Sequence, residues 1–323
     1  SLISLYFAFS YISFMLIFTL PMALGVTMMG NISVSKLISL WFRKYTGRAL
    51  GIASVGVSFA GFVFPNLTSF LLGDLGLTWR EAYLLFGVLI ILINVPVVYL
   101  FIVNKPSDIN QMPDGEEITD NAEDTSGIDW TITELLKDKN FWILSLVFAI
   151  QFCSMMGILS HLTFFSEGAG WSLSWGAFIF SMYAWPAMFS KVFFGWLVEN
   201  KMDARVAVSV AILIQAIATL LMIFVESPEQ MVVLVMIFGF GGGSALPLSN
   251  ILFNQAYTNK SFGKARGAAQ PFISIFQISG TLVAARMFDV FGNYELAFLT
   301  LGFILIVPII AIWFMKIESK LAP

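Results

Sequence analysis

Few residues in this chain could do chemistry, and Lys191 stands out among them. It lies in the stretch Ser190 to Arg205 (SKVFFGWLVENKMDAR), four residues before Gly195 and inside a long apolar run. A charged side chain at mid-bilayer costs about 2.5–3.5 kcal/mol or more, so an ionisable group inside an apolar span is a functional candidate by default. A buried ammonium can pair with an anion. The competing account is a lysine that snorkels to the interface, since Glu199 is only two turns away. Lys36 sits six residues before a basic loop and invites the same two readings. With both lysines at similar depth and facing inward, a dicarboxylate would be suited. His161 is the single histidine. It can titrate near neutral pH, which fits proton coupling or a hydrogen bond to an anion; a structural histidine at a helix end fits equally. Arg286, beside Asp289, reads as a local pair or an interfacial anchor. Tyr183, Asn66, Gln151, Gln277 and Asn254 are uncharged candidates, for lining a polar path or for joining helices.

Other chemistries find no support in the residues. The glycine clusters lie in apolar runs without GxxxxGK[ST], so an ATP-driven pump is not expected. Metal-ligand spacing is absent, as is a basic surface for nucleic acid, and no cofactor is expected. A lone cysteine, Cys153, cannot form an intramolecular disulfide. The chain does not read as an enzyme.

The elements that position these residues follow from composition. Hydrophobic residues make up 58% of the chain, charged residues 11%, and Phe alone supplies 33 residues. Ordinary soluble domains are about 45–50% apolar and about 25% charged. Apolar runs of about 20 residues recur, each long enough to cross a hydrocarbon core of about 30 Å as a helix. A helix satisfies its own backbone hydrogen bonds, and the alternating pattern of a barrel strand is absent. The fold class is therefore an all-α polytopic membrane protein. Ten spans are placed at 2–20, 22–42, 47–73, 81–103, 141–165, 174–199, 205–225, 230–254, 265–288 and 294–315. Pro65, Pro96, Pro186, Pro247 and Pro308 fall inside them. The Gly239–Gly243 run (GFGGG) would let helices approach closely.

The loops set the orientation. Arg43, Lys44 and Arg48, then Lys201 and Arg205, then Lys260, Lys264 and Arg266, then Lys316 and Lys320 mark one set. The alternate set carries Arg80 as its one basic residue. Positive loops stay inside, so both ends of the chain are expected in the cytoplasm. Residues 104–140 are the one long polar segment and read as an acidic cytoplasmic linker with a short interfacial helix near 130–139. The net charge of -3 comes largely from this loop.

An internal repeat points to two bundles. Ala82, Leu84 and Gly87 recur as Ala297, Leu299 and Gly302, and Arg48-Ala49 recurs as Arg266-Gly267. Spans one to four thus echo spans seven to ten, leaving spans five and six without first-half partners. The chain also starts at Ser1 and is apolar almost at once, without a signal peptide's basic region. It reads as lacking an N-terminal part, with twelve helices in two sixes expected for the whole protein. A chain missing two helices would leave a lipid-exposed gap and fold poorly.

Two sixes joined by such a linker resemble the major facilitator superfamily. Gly195, Glu199, Lys201, Asp203 and Arg205 look like its cytoplasmic loop motif, with Glu in place of the commoner Asp. The resemblance implies a conformational latch there. Trp41 to Ala53 (WFRKYTGRALGIA), followed by Gly56, Pro65 and Gly76 to Arg80, is similar to the microbial branch related to monocarboxylate transporters and oxalate:formate antiporters. Pro113 to Glu116, and His161 followed by Gly168 to Gly170, agree with that branch. Gly47-Arg48 departs from its usual Arg-Gly order.

The resemblance implies residues 1–103 as the remainder of an N-terminal bundle, 104–140 as linker and 141–323 as a C-terminal bundle. It also implies a secondary active transporter of a small organic anion in the inner or plasma membrane, acting as a monomer with a coupling proton or a counter-anion. Lys191 stands where relatives pair a basic residue with the substrate carboxylate. Ala187 replaces the aspartate that often lies four residues before it, so proton symport through such a pair is in doubt; an acid elsewhere, or anion exchange, would fit. A carrier of a neutral or cationic compound is the first alternative. A non-transporting sensor or inactive fragment is the second.

Overall fold

The computed structural model describes residues 1–30, 34, 37–38, 40–42, 46–109, 111–115, 129–199 and 202–315. Among them every regular element is helical. Eight helices are long and apolar enough to cross a bilayer, and Tyr11–Val26 is a shorter apolar one. In chain order we label Tyr11–Val26 α1, Ile52–Asp74 α2, Trp79–Phe101 α3, Lys139–Gly168 α4, Leu173–Val198 α5, Ala204–Phe224 α6, Pro228–Tyr257 α7, Ser261–Phe291 α8 and Glu295–Phe314 α9. From α2 onward these agree within a few residues with the spans read from the sequence.

Short polar side chains set most of the starts. Thr78 and Glu81 form a capping box ahead of α3, Asp138 caps α4, Ser172 caps α5, and Ser227 caps α7. Each side chain accepts a backbone N–H that the first helical turn leaves without a partner. The same device corrects the N-terminal boundary. The predicted break near residue 21 lies instead at residues 6–10, because Ser10 and Ser13 form a capping box that starts a new helix at Tyr11. Pro21 does not end that helix. It sits in a π-helical turn, Phe18–Met22, whose wider ring accommodates a residue without an N–H.

The chain forms two compact units: Ser1–Ser54 with Leu67–Asn121, and Val55–Asn66 with Ala122–Pro323. In the first, α3 is the scaffold. A Cβ added at Gly87 would lie 2.7 Å from Ile3 Cγ1, so the short helix Leu2–Leu5 packs directly on it. The Arg80 Nη2 donates to Ala8 O at 3.0 Å, and its guanidinium lies 4.3 Å over the Trp79 ring. Large side chains along α3, such as Ile91, Leu92 and Leu100, are exposed, as suits a lipid-facing helix.

In the second unit, α4 is the central helix and is largely buried. It crosses α8 with backbones nearly touching: a Cβ on Gly280 would fall 2.0 Å from Cys153 O. The GFGGG run works on two faces of α7. Gly239 and Gly243 admit Tyr183 and Ala187 of α5, while Gly241 admits Ala211 and Gln215 of α6. Residues 129–138 are docked here too. The Trp130 N–H donates to Ser261 Oγ at 2.8 Å, Lys264 pairs with Asp129 at 2.6 Å, and the Tyr257 hydroxyl donates to Asp138. The short helix expected near 130–139 is Ile132–Lys137, capped by Thr131.

Candidate functional site

Lys191 sits on α5 between two packed surfaces. On one side, Ala187 meets Gly243, the Ser190 hydroxyl donates to Phe240 O, and Phe194 packs on the Phe240 ring. On the other, residues 58–62 of α2 run alongside α5 in the opposite direction. Gly61 lies against Ala184, where an added Cβ would be 3.4 Å from the Ala184 Cβ, and Phe62 packs on Trp185 at 5.7 Å. The third rung is polar: Lys191 Nζ donates to Ser58 Oγ at 2.7 Å. Lys191 is 8% exposed and Ser58 7%. The lysine is therefore buried among helices rather than extended to solvent. A buried ammonium in this setting can pair with an anion, because low dielectric strengthens the attraction.

Gln151 and Tyr183 come together deeper in the same bundle. Gln151 Nε2 donates to Gln215 Oε1 and Gln215 Nε2 to Gln151 O, each at 3.4 Å, while the Tyr183 hydroxyl donates to Met155 Sδ at 3.0 Å. Tyr183 Oη and Gln215 Oε1 both lie within 3.5 Å of the place where a Gly242 Cβ would stand. Gln151 and Gln215 are buried, and Gln151 Oε1 has no hydrogen-bond partner among the described residues. This cluster joins α4, α5, α6 and α7. Asn66 turns onto its own helix, donating to Phe62 O at 2.8 Å. Lys36 lies outside the described residues.

His161 occupies a separate position at the far end of α4. Its Nε2 lies 3.1 Å from Thr281 O and its Nδ1 3.1 Å from the Tyr294 hydroxyl. A carbonyl oxygen only accepts, so Nε2 carries the proton and Nδ1 accepts from Tyr294. Burial, with Asp289 nearby, pushes the Tyr294 phenol up, which keeps it a donor at neutral pH. The histidine thus ties α4, α8 and the start of α9. Tyr294→Phe removes the donor to Nδ1 and is expected to cost about 1 kcal/mol of stability, read as a lower Tm of the purified protein. An unchanged Tm would refute the tie.

The loop motif is partly in view. An added Cβ at Gly195 meets open space; the Glu199 side chain and Lys201 lie outside the described residues. Asp203 and Arg205 pair with each other, Nη2 to Oδ2 at 2.5 Å, and Asp203 accepts the Arg205 N–H at 2.8 Å, capping α6. These bonds from Arg205 hold the Asp203 carboxyl below the usual carboxylate range. Its stabilisation is present above the ordinary carboxylate pKa and fades as pH falls through the lowered one. Asp203 is 35% exposed, so solvent discounts the pair. Asp203→Asn is expected to cost about 0.5–1 kcal/mol at neutral pH and to flatten the acid limb of a Tm–pH curve.

Ser58 and Gln215 were not marked by sequence reasoning. A serine between Gly56 and Gly61, and an amide inside an apolar span, were the available signals.

These features define a multi-pass α-helical membrane protein with a buried cation between spanning helices. The chain belongs to the Major Facilitator Superfamily, whose sequence profile matches residues 1–228 and 174–323. Its relatives include monocarboxylate transporter 13 of Bos taurus, 24% identical over 82% of this chain and 59% of that protein. An MFS-type transporter of Gibberella moniliformis is 22% identical over 79% of this chain and 58% of its own length. The chain thus spans about three fifths of the curated relatives it matches. Among solved structures, the E. coli fucose:proton symporter aligns with a TM-score of 0.60 at 16% identity, over 97% of this chain and 81% of that one. A bacterial homologue of the human lysosomal transporter Spinster, in an inward-facing and unoccupied conformation, aligns with a TM-score of 0.59 at 17% identity, over 87% and 73%.

Proposed function

We propose that the full-length protein is a secondary active transporter of a small organic anion, a mono- or dicarboxylate, working by alternating access about a midplane site. The observation that carries this reading is Lys191, buried to 8% exposure within a spanning helix. Such a charge is costly to keep in a membrane, so it marks a substrate or ion path by default. The name of the relative monocarboxylate transporter 13 points to the same cargo class. In this reading Lys36 is a second anion ligand, and Gly195 to Arg205 is a conformational latch. Residues 1–103 belong to an N-terminal bundle, 104–140 to a cytoplasmic linker and 141–323 to a C-terminal bundle. Both ends of the chain face the cytoplasm, across the inner or plasma membrane. The protein acts as a monomer, with a proton or a counter-anion as coupling species.

The test is uptake by the full-length protein in proteoliposomes, with radiolabelled mono- and dicarboxylates beside a neutral sugar and an organic cation. Saturable uptake confined to the acids is the expected result. Uptake of the sugar or the cation alone would replace the anion reading, and no flux of any compound would favour a sensor.

A further inference from the structure

We propose that Ser58 is a resident acceptor for the Lys191 ammonium, and that a bound carboxylate displaces it, so that Ser58 sets both the affinity and the release rate of the site. The inference rests on Lys191 being a substrate ligand, and goes beyond it by assigning the second helix a role in exchange. The Oγ of Ser58 lies 2.7 Å from Lys191 Nζ, and both side chains are buried. An ammonium carries three N–H donors and no acceptor, and a hydroxyl oxygen accepts. A carboxylate oxygen pairs with an ammonium at about 2.7–2.9 Å, so one that meets the N–H now given to Ser58 would stand where Ser58 Oγ stands.

Packing holds the Ser58 backbone there, while its hydroxyl can turn about χ1 to give way. Gly61 against Ala184 and Phe62 against Trp185 fix the two helices side by side, one turn from the serine. The chemistry of exchange then follows. A carboxylate is the stronger acceptor, roughly twice as good as a neutral one, so it takes the ammonium on binding. When it leaves, Ser58 takes the N–H back, and the lysine returns to its contact with α2. A site without this acceptor holds its anion too well. A site with a built-in carboxylate at 58 never needs one from outside.

The test uses the full-length protein, with pyruvate and oxalate as probes. KM and Vmax are measured in proteoliposomes, and the probe-induced rise in Tm is measured in detergent. Ser58→Ala is expected to lower KM about tenfold, the equivalent of one hydrogen bond to a charged group, and to lower Vmax as release slows. Ser58→Asp is expected to raise KM more than tenfold and to abolish the Tm shift. Ser58→Asn, the same shape without the charge, is expected to stay within about threefold of wild type. An unchanged or raised KM for Ser58→Ala overturns the proposal, as does equal behaviour of the Asp and Asn variants. If Ser58→Asp does not accumulate, Ser58→Ala decides alone. Lys191→Ala separates the two ideas. Carboxylate binding that survives Lys191→Ala removes the reading of the lysine itself. Binding lost in Lys191→Ala, with KM unmoved across the Ser58 series, removes only the role of Ser58.

Discussion

Lys191→Ala is expected to raise KM for carboxylates by two orders of magnitude or more, with uptake at low substrate falling below detection. The size follows from the environment. Breaking a buried charge pair by removing one partner costs about 3–5 kcal/mol, and each 1.4 kcal/mol is about tenfold in an equilibrium constant. The loss falls on the substrate complex, because the carboxylate would reach α5 with no cation to meet it. Lys191→Arg should recover part of the activity: it keeps the charge, but its planar fork does not reproduce the single point donor that reaches Ser58 at 2.7 Å. Expression level and Tm are measured beside uptake, so that a folding defect is not read as a binding defect. Wild-type KM in Lys191→Ala would remove the lysine from the site.

Gly280→Val is expected to prevent the protein from accumulating in the membrane, or to cost about 3 kcal/mol or more, the upper end of overpacking penalties. Even the first atom of the new side chain has no room. It would lie 2.0 Å from Cys153 O and 2.7 Å from Cys153 C, both backbone atoms of the central helix. The opposite face is no looser, since a Cβ on Gly157 would meet Gly280 O at 2.9 Å and Leu301 Cδ1 at 2.6 Å. Relief would require α4 and α8 to separate along the crossing on which the second unit is built. Gly56→Ala is the control. It is also a glycine in a spanning helix, but nothing lies within 4 Å of its added Cβ, so it should be neutral or slightly stabilising. Normal accumulation and Tm for Gly280→Val would mean that the two helices do not cross so closely.

Much of the scaffold was legible in the chain because it depends on local chemistry. Unbroken apolar runs of spanning length, with Thr78, Asp138, Ser172 and Ser227 just ahead of them, define helices by rules that act within one turn. The GFGGG run announced close packing, because a missing side chain can be read directly. Lys191 announced itself because a charge in an apolar run has a cost that does not depend on its neighbours. The break at residues 6–10 was harder to see: a Ser10–Ser13 cap is a weaker signal than Pro21, and only the π-helical turn showed that the proline could be absorbed.

What the tertiary structure decided is which polar atoms meet. Ser58 finds Lys191, Gln151 finds Gln215, and His161 finds Tyr294 and Thr281, across separations of 64 to 133 residues. In helices that are apolar nearly all round, periodicity does not mark an inward face, because lipid and protein interior present the same low polarity. The sequence by itself therefore determined the spans from α2 onward and the lone charges within them. The partners of those charges came from helix packing, because they lie on other helices far away in the chain and no local rule names them.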